Sequence, residues 1–347
     1  MTSRVPASLA LLGGSALVLA GCATATPAAE QSDTLTVVAS TNVYGSLAAA
    51  VGGDDIEVTS IIDSLSQDPH SYEASARDQL TIADADLIIE NGGGYDSFID
   101  GLIEASGSDA AVLTAVEFSH DYPENAGHAE EEHADEDAHA DEDAHADEEA
   151  HADEDAHAGE DAHEHEHGHD HIEGFNEHVW YDPHTIVHLV EDIAHELGEL
   201  DAANADAFEA NATDLVASIE GLEASLGEIA AAHEGEQIFV TEPVPVYLAA
   251  AAGLTDATPA EFSEAVEEGQ DVPPATLLEA RDILEAGDVR AVVTNAQTGG
   301  AETTEIVSLA DGLGIPVIEF TELLPDGLDY VGWMQENVDA LAGTLTR

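Results

Sequence analysis

Residues 119–177 cannot form a hydrophobic core, so the chain divides into what folds before them and what folds after. The stretch repeats His-Ala-Asp-Glu-Asp-Ala, which places His133, His139, His145, His151, His157 and His163 six residues apart. It closes on His165, His167, His169 and His171, alternating with Glu164, Glu166, Gly168 and Asp170. With His120 and His128 it holds twelve histidines and 24 acids, and no lysine or arginine. A segment this charged buries too little apolar surface to offset its chain entropy, so disorder is expected. Neutral imidazole is the commonest protein ligand for transition metals, and a His-rich tract reads by composition as an accessory metal-binding loop. The repeat lacks the mid-loop glycine and the fixed ligand spacing of an EF-hand, which disfavours calcium.

The remainder is acidic as well. The net charge is −70, from 75 acids against five arginines and no lysine, and 51 of the acids lie outside the repeat region. Nothing in that balance neutralises phosphates, which argues against nucleic acid and for a cationic partner. The length of 347 residues suits about two domains.

The first residues read as a targeting segment. Arg4 lies in a short basic region, and the apolar run 7–20 is too short to span a bilayer. It ends at Leu19-Ala20-Gly21-Cys22, the pattern of a bacterial lipoprotein signal. The expected organisation is a signal peptide at 1–21, lipidation of Cys22 and a tether over 22–33. The mature chain would then be extracytoplasmic and lipid-anchored to the bacterial cell membrane. Cys22 is the only cysteine, so no intramolecular disulfide is available.

Apolar runs alternate with helical periodicity on both sides of the repeat. Strands are expected at 35–40, 56–62, 87–90 and near Val112, with helices at 43–51, 74–83 and 95–106. Helices 185–197 and 203–232 follow the repeat. The last section reads as strands 237–241, 289–294 and 315–320 with helices 246–252, 261–268, 273–286, 303–313 and one from Tyr330. This is an α/β chain: lobes 34–202 and 234–347 with mostly parallel sheets, joined by one long rigid helix at 203–233.

Three loops at strand ends offer metal ligands. His70 follows Pro69, with Asp68 near enough to orient it; His178 stands before Trp180; Glu242 directly follows an apolar strand. A loop histidine is commonly a surface residue, and Glu242 also suits the start of a helix. His184, His188 and His195 share one helix face, as an accessory site or a solvated stripe. Tyr44, Tyr72, Tyr247 and Trp180 are candidate cleft walls or ordinary core.

Those motifs occur in a telling order: the Cys22 signal, Asp68-Pro69-His70-Ser71-Tyr72-Glu73, the acidic His-rich insertion, His178-Val179-Trp180-Tyr181-Asp182-Pro183 and Glu242. The chain resembles the zinc/manganese-type (ZnuA-like) solute-binding lipoproteins of metal ABC transporters from about residue 34 to the end. The resemblance implies a metal cleft between the lobes, with His70 and His178 as ligands and Glu242 at a third position. Relatives often place an acid after the strand that corresponds to 289–294, whereas Asn295, Gln297 and Thr298 stand here. An amide oxygen of Gln297 or Asn295, or water, would complete the site. Asp68 and Asp182 are the expected supports of the histidines. Such a set takes Zn2+ and also tolerates Mn2+, and the histidine repeat favours zinc. The implied protein is no enzyme; it works with a membrane permease, as a monomer. A metal-dependent hydrolase and a surface zinc buffer or adhesin are the alternatives.

Overall fold

The computed structural model describes residues 34–125, 172 and 174–346. The signal region, Cys22 and the histidines from His128 to His171 lie outside the described residues.

The first sheet comprises β1 (Leu35–Thr41), β2 (Ile56–Ile62), β3 (Leu87–Glu90) and β4 (Ala111–Thr114), in the order β2-β1-β3-β4 and all parallel. Between them run α1 (Asn42–Gly52), α2 (Ala76–Ala83) and α3 (Phe98–Ser106). Every residue of β3 is buried, as a parallel strand covered on both faces requires. Helix α2 starts two residues later than expected because Ser75 caps it, accepting from the backbone of Arg77 and Asp78 while Asp78 reaches back to Ser75 N. Helix α3 starts three residues late because Gly92, Gly93 and Gly94 all have positive φ, which holds the preceding segment in a turn. A Cβ at Gly92 would lie 2.4 Å from Thr114 Cγ2, so glycine is required there.

Two helices follow, α4 (Pro183–Leu200) and α5 (Ala205–His233). The 29 residues of α5 span about 43 Å at the usual rise. Helix α5 packs on both α4 and α1.

The second sheet repeats the first one's order. It comprises β5 (Gln237–Val240), β6 (Thr255–Asp256), β7 (Val289–Asn295) and β8 (Val317–Phe320), arranged β6-β5-β7-β8 and parallel. Its helices are α6 (Val246–Ala251), α7 (Ala260–Glu267), α8 (Pro274–Ala286), α9 (Ala301–Leu313) and α10 (Tyr330–Leu345). The two-residue β6 is absent from the sequence reading, since so short a strand carries no periodicity.

One apolar core runs through both sheets, from Val37 and Ile89 to Val240, Val293, Tyr330 and Trp333. A smaller cluster of the first sheet, with Val38, Ile62, Ile82 and Ile88, also contains fully buried Leu323, which follows β8. The segment after β8 is thus rooted in the opposite half. Asn42 reinforces this by donating to Leu324 O at 2.9 Å and accepting from Leu324 N at 3.0 Å. The described residues form a single compact unit. No helix among the described residues is long and apolar enough to cross a membrane.

Candidate metal centre

His70 lies in a 3-10 turn, Pro69–Ser71, on the loop after β2. The Asp68 carboxylate builds that turn by accepting from His70 N at 3.0 Å and from Ser71 Oγ at 2.7 Å. His178 precedes a second such turn, Val179–Tyr181, and is fully buried. Its ring is oriented by Asn176, whose Oδ1 lies 2.7 Å from His178 Nδ1 and also accepts from His178 N at 3.1 Å. With Nδ1–H donating to that amide oxygen, Nε2 is left as the ligating atom, the usual way a neighbouring acceptor fixes a metal-binding imidazole. Asn176 is held in turn by Tyr247, whose hydroxyl donates to Asn176 O at 2.8 Å.

The two rings lie 6.0 Å apart, centroid to centroid. Glu267, at the end of α7, brings Oε1 to 3.5 Å from His178 Nε2. One ligand atom each from His70, His178 and Glu267 fall within 4.8 Å of one another. Glu322, two residues past β8, places Oε2 3.9 Å from His70 Nε2. Donor atoms on a tetrahedral zinc ion at about 2.0–2.1 Å sit about 3.4 Å apart. The His178–Glu267 pair already matches such an edge, and the wider pairs need only a modest contraction.

The electrostatics favour a cation. Glu242, Glu267 and Glu322 are all buried or nearly so, and the chain has no lysine. Arg281 and Arg290 are spent on the exposed Glu305 and the half-buried Glu236. Burial, with the charge of Glu242 added, pushes Glu322 up to about 8 despite a hydrogen bond from Asn295. Burial first, and then Glu177 and Glu242, raise Glu267 well above the ordinary carboxylate range. Buried carboxylates without counter-charges are costly unless protonated or bound to a metal. Glu267 also ends a helix, where the backbone dipole opposes negative charge.

The residues expected from sequence divide. His70 and His178 come together. Glu242 is outside the 4.8 Å cluster: its Oε2 accepts from Asn295 Nδ2 at 2.9 Å and from the Thr298 hydroxyl. Asn295 Nδ2 also donates to Glu322 Oε1, so Glu242 acts on Glu322 through a shared amide. The oxygens of Gln297 and Asn295, expected as fourth ligands, are engaged: Gln297 Oε1 accepts from Glu322 N at 2.8 Å and Leu323 N at 2.9 Å, and Asn295 Oδ1 from Gln297 N at 3.0 Å. Asp182 caps α4, accepting from His184 N at 3.2 Å and Thr185 Oγ1 at 2.6 Å. Among the expected walls, Trp180 lies 5.1 Å from the His178 ring, while Tyr72 packs on Phe98 and Tyr44 enters the core. Tyr95, not anticipated, stands edge-on to His70 at 4.8 Å and donates its hydroxyl to Glu322 Oε2 at 3.2 Å.

The family model for ZnuA, the periplasmic component A of a zinc-uptake complex, matches residues 37–344. The manganese-binding lipoprotein MntA of Halalkalibacterium halodurans is 24% identical over 343 residues, which is 96% of each chain. The manganese ABC transporter substrate-binding lipoprotein PsaA of Streptococcus pneumoniae is 34% identical over 85 residues, 24% of this chain and 27% of that one. Among solved structures, a crystal structure of ZnuA superposes with a TM-score of 0.64 at 18% identity, covering 90% of this chain and 99% of the other. The periplasmic zinc-binding protein TroA of Treponema pallidum gives a TM-score of 0.64 at 16% identity, over 90% and 100%. These two likenesses establish the shared fold.

Proposed function

This chain belongs to the family of ZnuA, the periplasmic component A of zinc-uptake complexes, and on that footing we propose that it captures Zn2+ and hands it to an ABC permease. Proteins of this family are substrate-binding components of metal transporters and not enzymes. The observation that carries the reading is the meeting of His70, His178 and Glu267 within 4.8 Å, in a buried site rich in carboxyls. We assign these three as ligands, with Glu322 as the fourth.

All four come from one chain, so a monomer is sufficient. His70 and His178 stand on loops of the first half, and Glu267 and Glu322 on the second. An ion shared between them draws the halves together, and that closure is the signal a permease reads. The His-rich segment gathers ions near the cleft, and lipidated Cys22 keeps the protein at the membrane. Calorimetry tests the assignment: His70→Ala should abolish the tight 1:1 site, while removal of 127–171 should leave it intact and delete only weaker binding. The opposite pattern sinks the division of roles.

A second reading, Mn2+ as cargo, is favoured by the two carboxylates, since hard oxygen donors suit manganese. Competition between the two ions for the chain without 127–171 separates the readings. Zinc capture predicts that equimolar zinc displaces manganese and that zinc, not manganese, supports transport by the reconstituted permease.

A further inference from the structure

We propose that His184 and His188 on α4, with Glu223 of α5 beside the His184 ring, form a second binding site for a divalent transition-metal ion. It is distinct from the cleft centre and shares no residue with it. The two histidines are four apart on one helix, which sets them on the same face a single turn from each other. Their rings meet edge to face with centroids 4.8 Å apart. An imidazole centroid lies about 3.2 Å from an ion it binds through Nε2, so two imidazoles on one tetrahedral ion have centroids about 5 Å apart. The pair is therefore already spaced as a chelate.

The acids around the pair supply what such a chelate needs. His184 Nδ1 faces Glu223 Oε1 at 4.0 Å, and His188 Nδ1 faces Glu191 Oε2 at 3.6 Å. A carboxylate beside Nδ1 favours the tautomer that presents Nε2 to a metal and raises its basicity. The side chains of His184 and His188 are 62% and 39% exposed, so an ion reaches them directly from solvent. His195 itself groups only with Glu196 and Glu199, all on its own helix, and one imidazole makes a poorer chelate. Two imidazoles select zinc, copper or nickel over magnesium and calcium.

Zinc protection against diethyl pyrocarbonate, read peptide by peptide by mass spectrometry, isolates this pair from every other histidine in the full chain. Zinc should protect His184 and His188 together, at least tenfold in modification rate, and equimolar magnesium should not. In His188→Ala, His184 should lose that protection, and in Glu223→Gln protection should require severalfold more zinc. His70→Ala should leave the pair protected, which keeps this result separate from the fate of the cleft centre. Both substituted histidines are solvent-facing, and an unchanged melting curve certifies the fold. If His184 stays equally protected in His188→Ala, or if neither histidine is protected at all, there is no chelate and the proposal falls.

Discussion

Glu267 holds its Oε1 3.5 Å from Nε2 of His178, joining the end of α7 to the loop that opens the helical middle of the chain. Each residue is ill-placed without the other. The carboxyl is buried at the negative end of a helix, and the imidazole has its Nδ1 committed to Asn176.

Glu267→Gln should therefore cost more than any change at Glu242. Loss of a ligand carboxylate is expected to weaken zinc binding a hundredfold or more, about 3 kcal/mol by the usual conversion. Glu242→Gln perturbs the Thr298 contact and the amide shared with Glu322 and should cost about tenfold. Titration calorimetry on the two variants decides, and equal losses would return Glu242 to the ligand set.

Ion capture should release protons. Glu322 is pushed up to about 8 by burial, and Glu267 higher, so both hold protons in the empty protein at neutral pH. The ion must displace them, so affinity should climb as pH rises from 6 to 8. Calorimetry in buffers of different ionisation enthalpy counts the protons; a count of zero at pH 7 contradicts the assignment.

Glu90 provides a pH effect away from the centre. Burial, aided by Asp96 and Asp100, pushes it up to about 8, and its Oε1 accepts from Thr114 Oγ1 at 2.9 Å. A carboxyl raised in the folded state stabilises fully below its unfolded value near 4.5, and that stability is lost as pH rises toward 8. The change is on the order of 5 kcal/mol as an upper bound. Urea melts of the metal-free protein should weaken between pH 5 and 8, and Glu90→Gln should flatten that slope. An unaltered slope would assign the effect to other acids.

Gln297→Leu should destabilise the protein with no metal present. Its amide oxygen holds the N–H groups of Glu322 and Leu323, and its Nε2 donates to Gln67 O at 3.3 Å. Two buried N–H groups without acceptors cost about 1–3 kcal/mol each. A ligand role would instead leave the metal-free melting temperature unchanged.

Much of this was readable beforehand. Buried parallel strands announce themselves as short apolar runs, and Asp68 stands beside His70 in the turn it builds, whereas Asp182, expected to support a histidine, caps α4 instead. The carboxylates were harder. Glu242 stood out because an acid directly follows the expected apolar strand, whereas Thr321 separates Glu322 from β8. Asn295 divides its amide between the two carboxylates, and no local pattern encodes that. Glu267 did carry a signal, since two adjacent acids close a helix against its dipole and glycine follows. Asn176 carried one too: asparagine commonly bonds the backbone two residues on, as it does here to His178 N.

The burial of Leu323 among Val38, Ile62, Ile82 and Ile88 has a consequence for how this molecule is made. A nascent chain still short of residue 323 carries an unfilled hole beside its earliest strands. Ribosome release of a truncated product would leave that hole open to proteases or chaperones. Fragments split within the α8–β7 connection should regain solubility only when co-expressed, with the late piece plugging the early one.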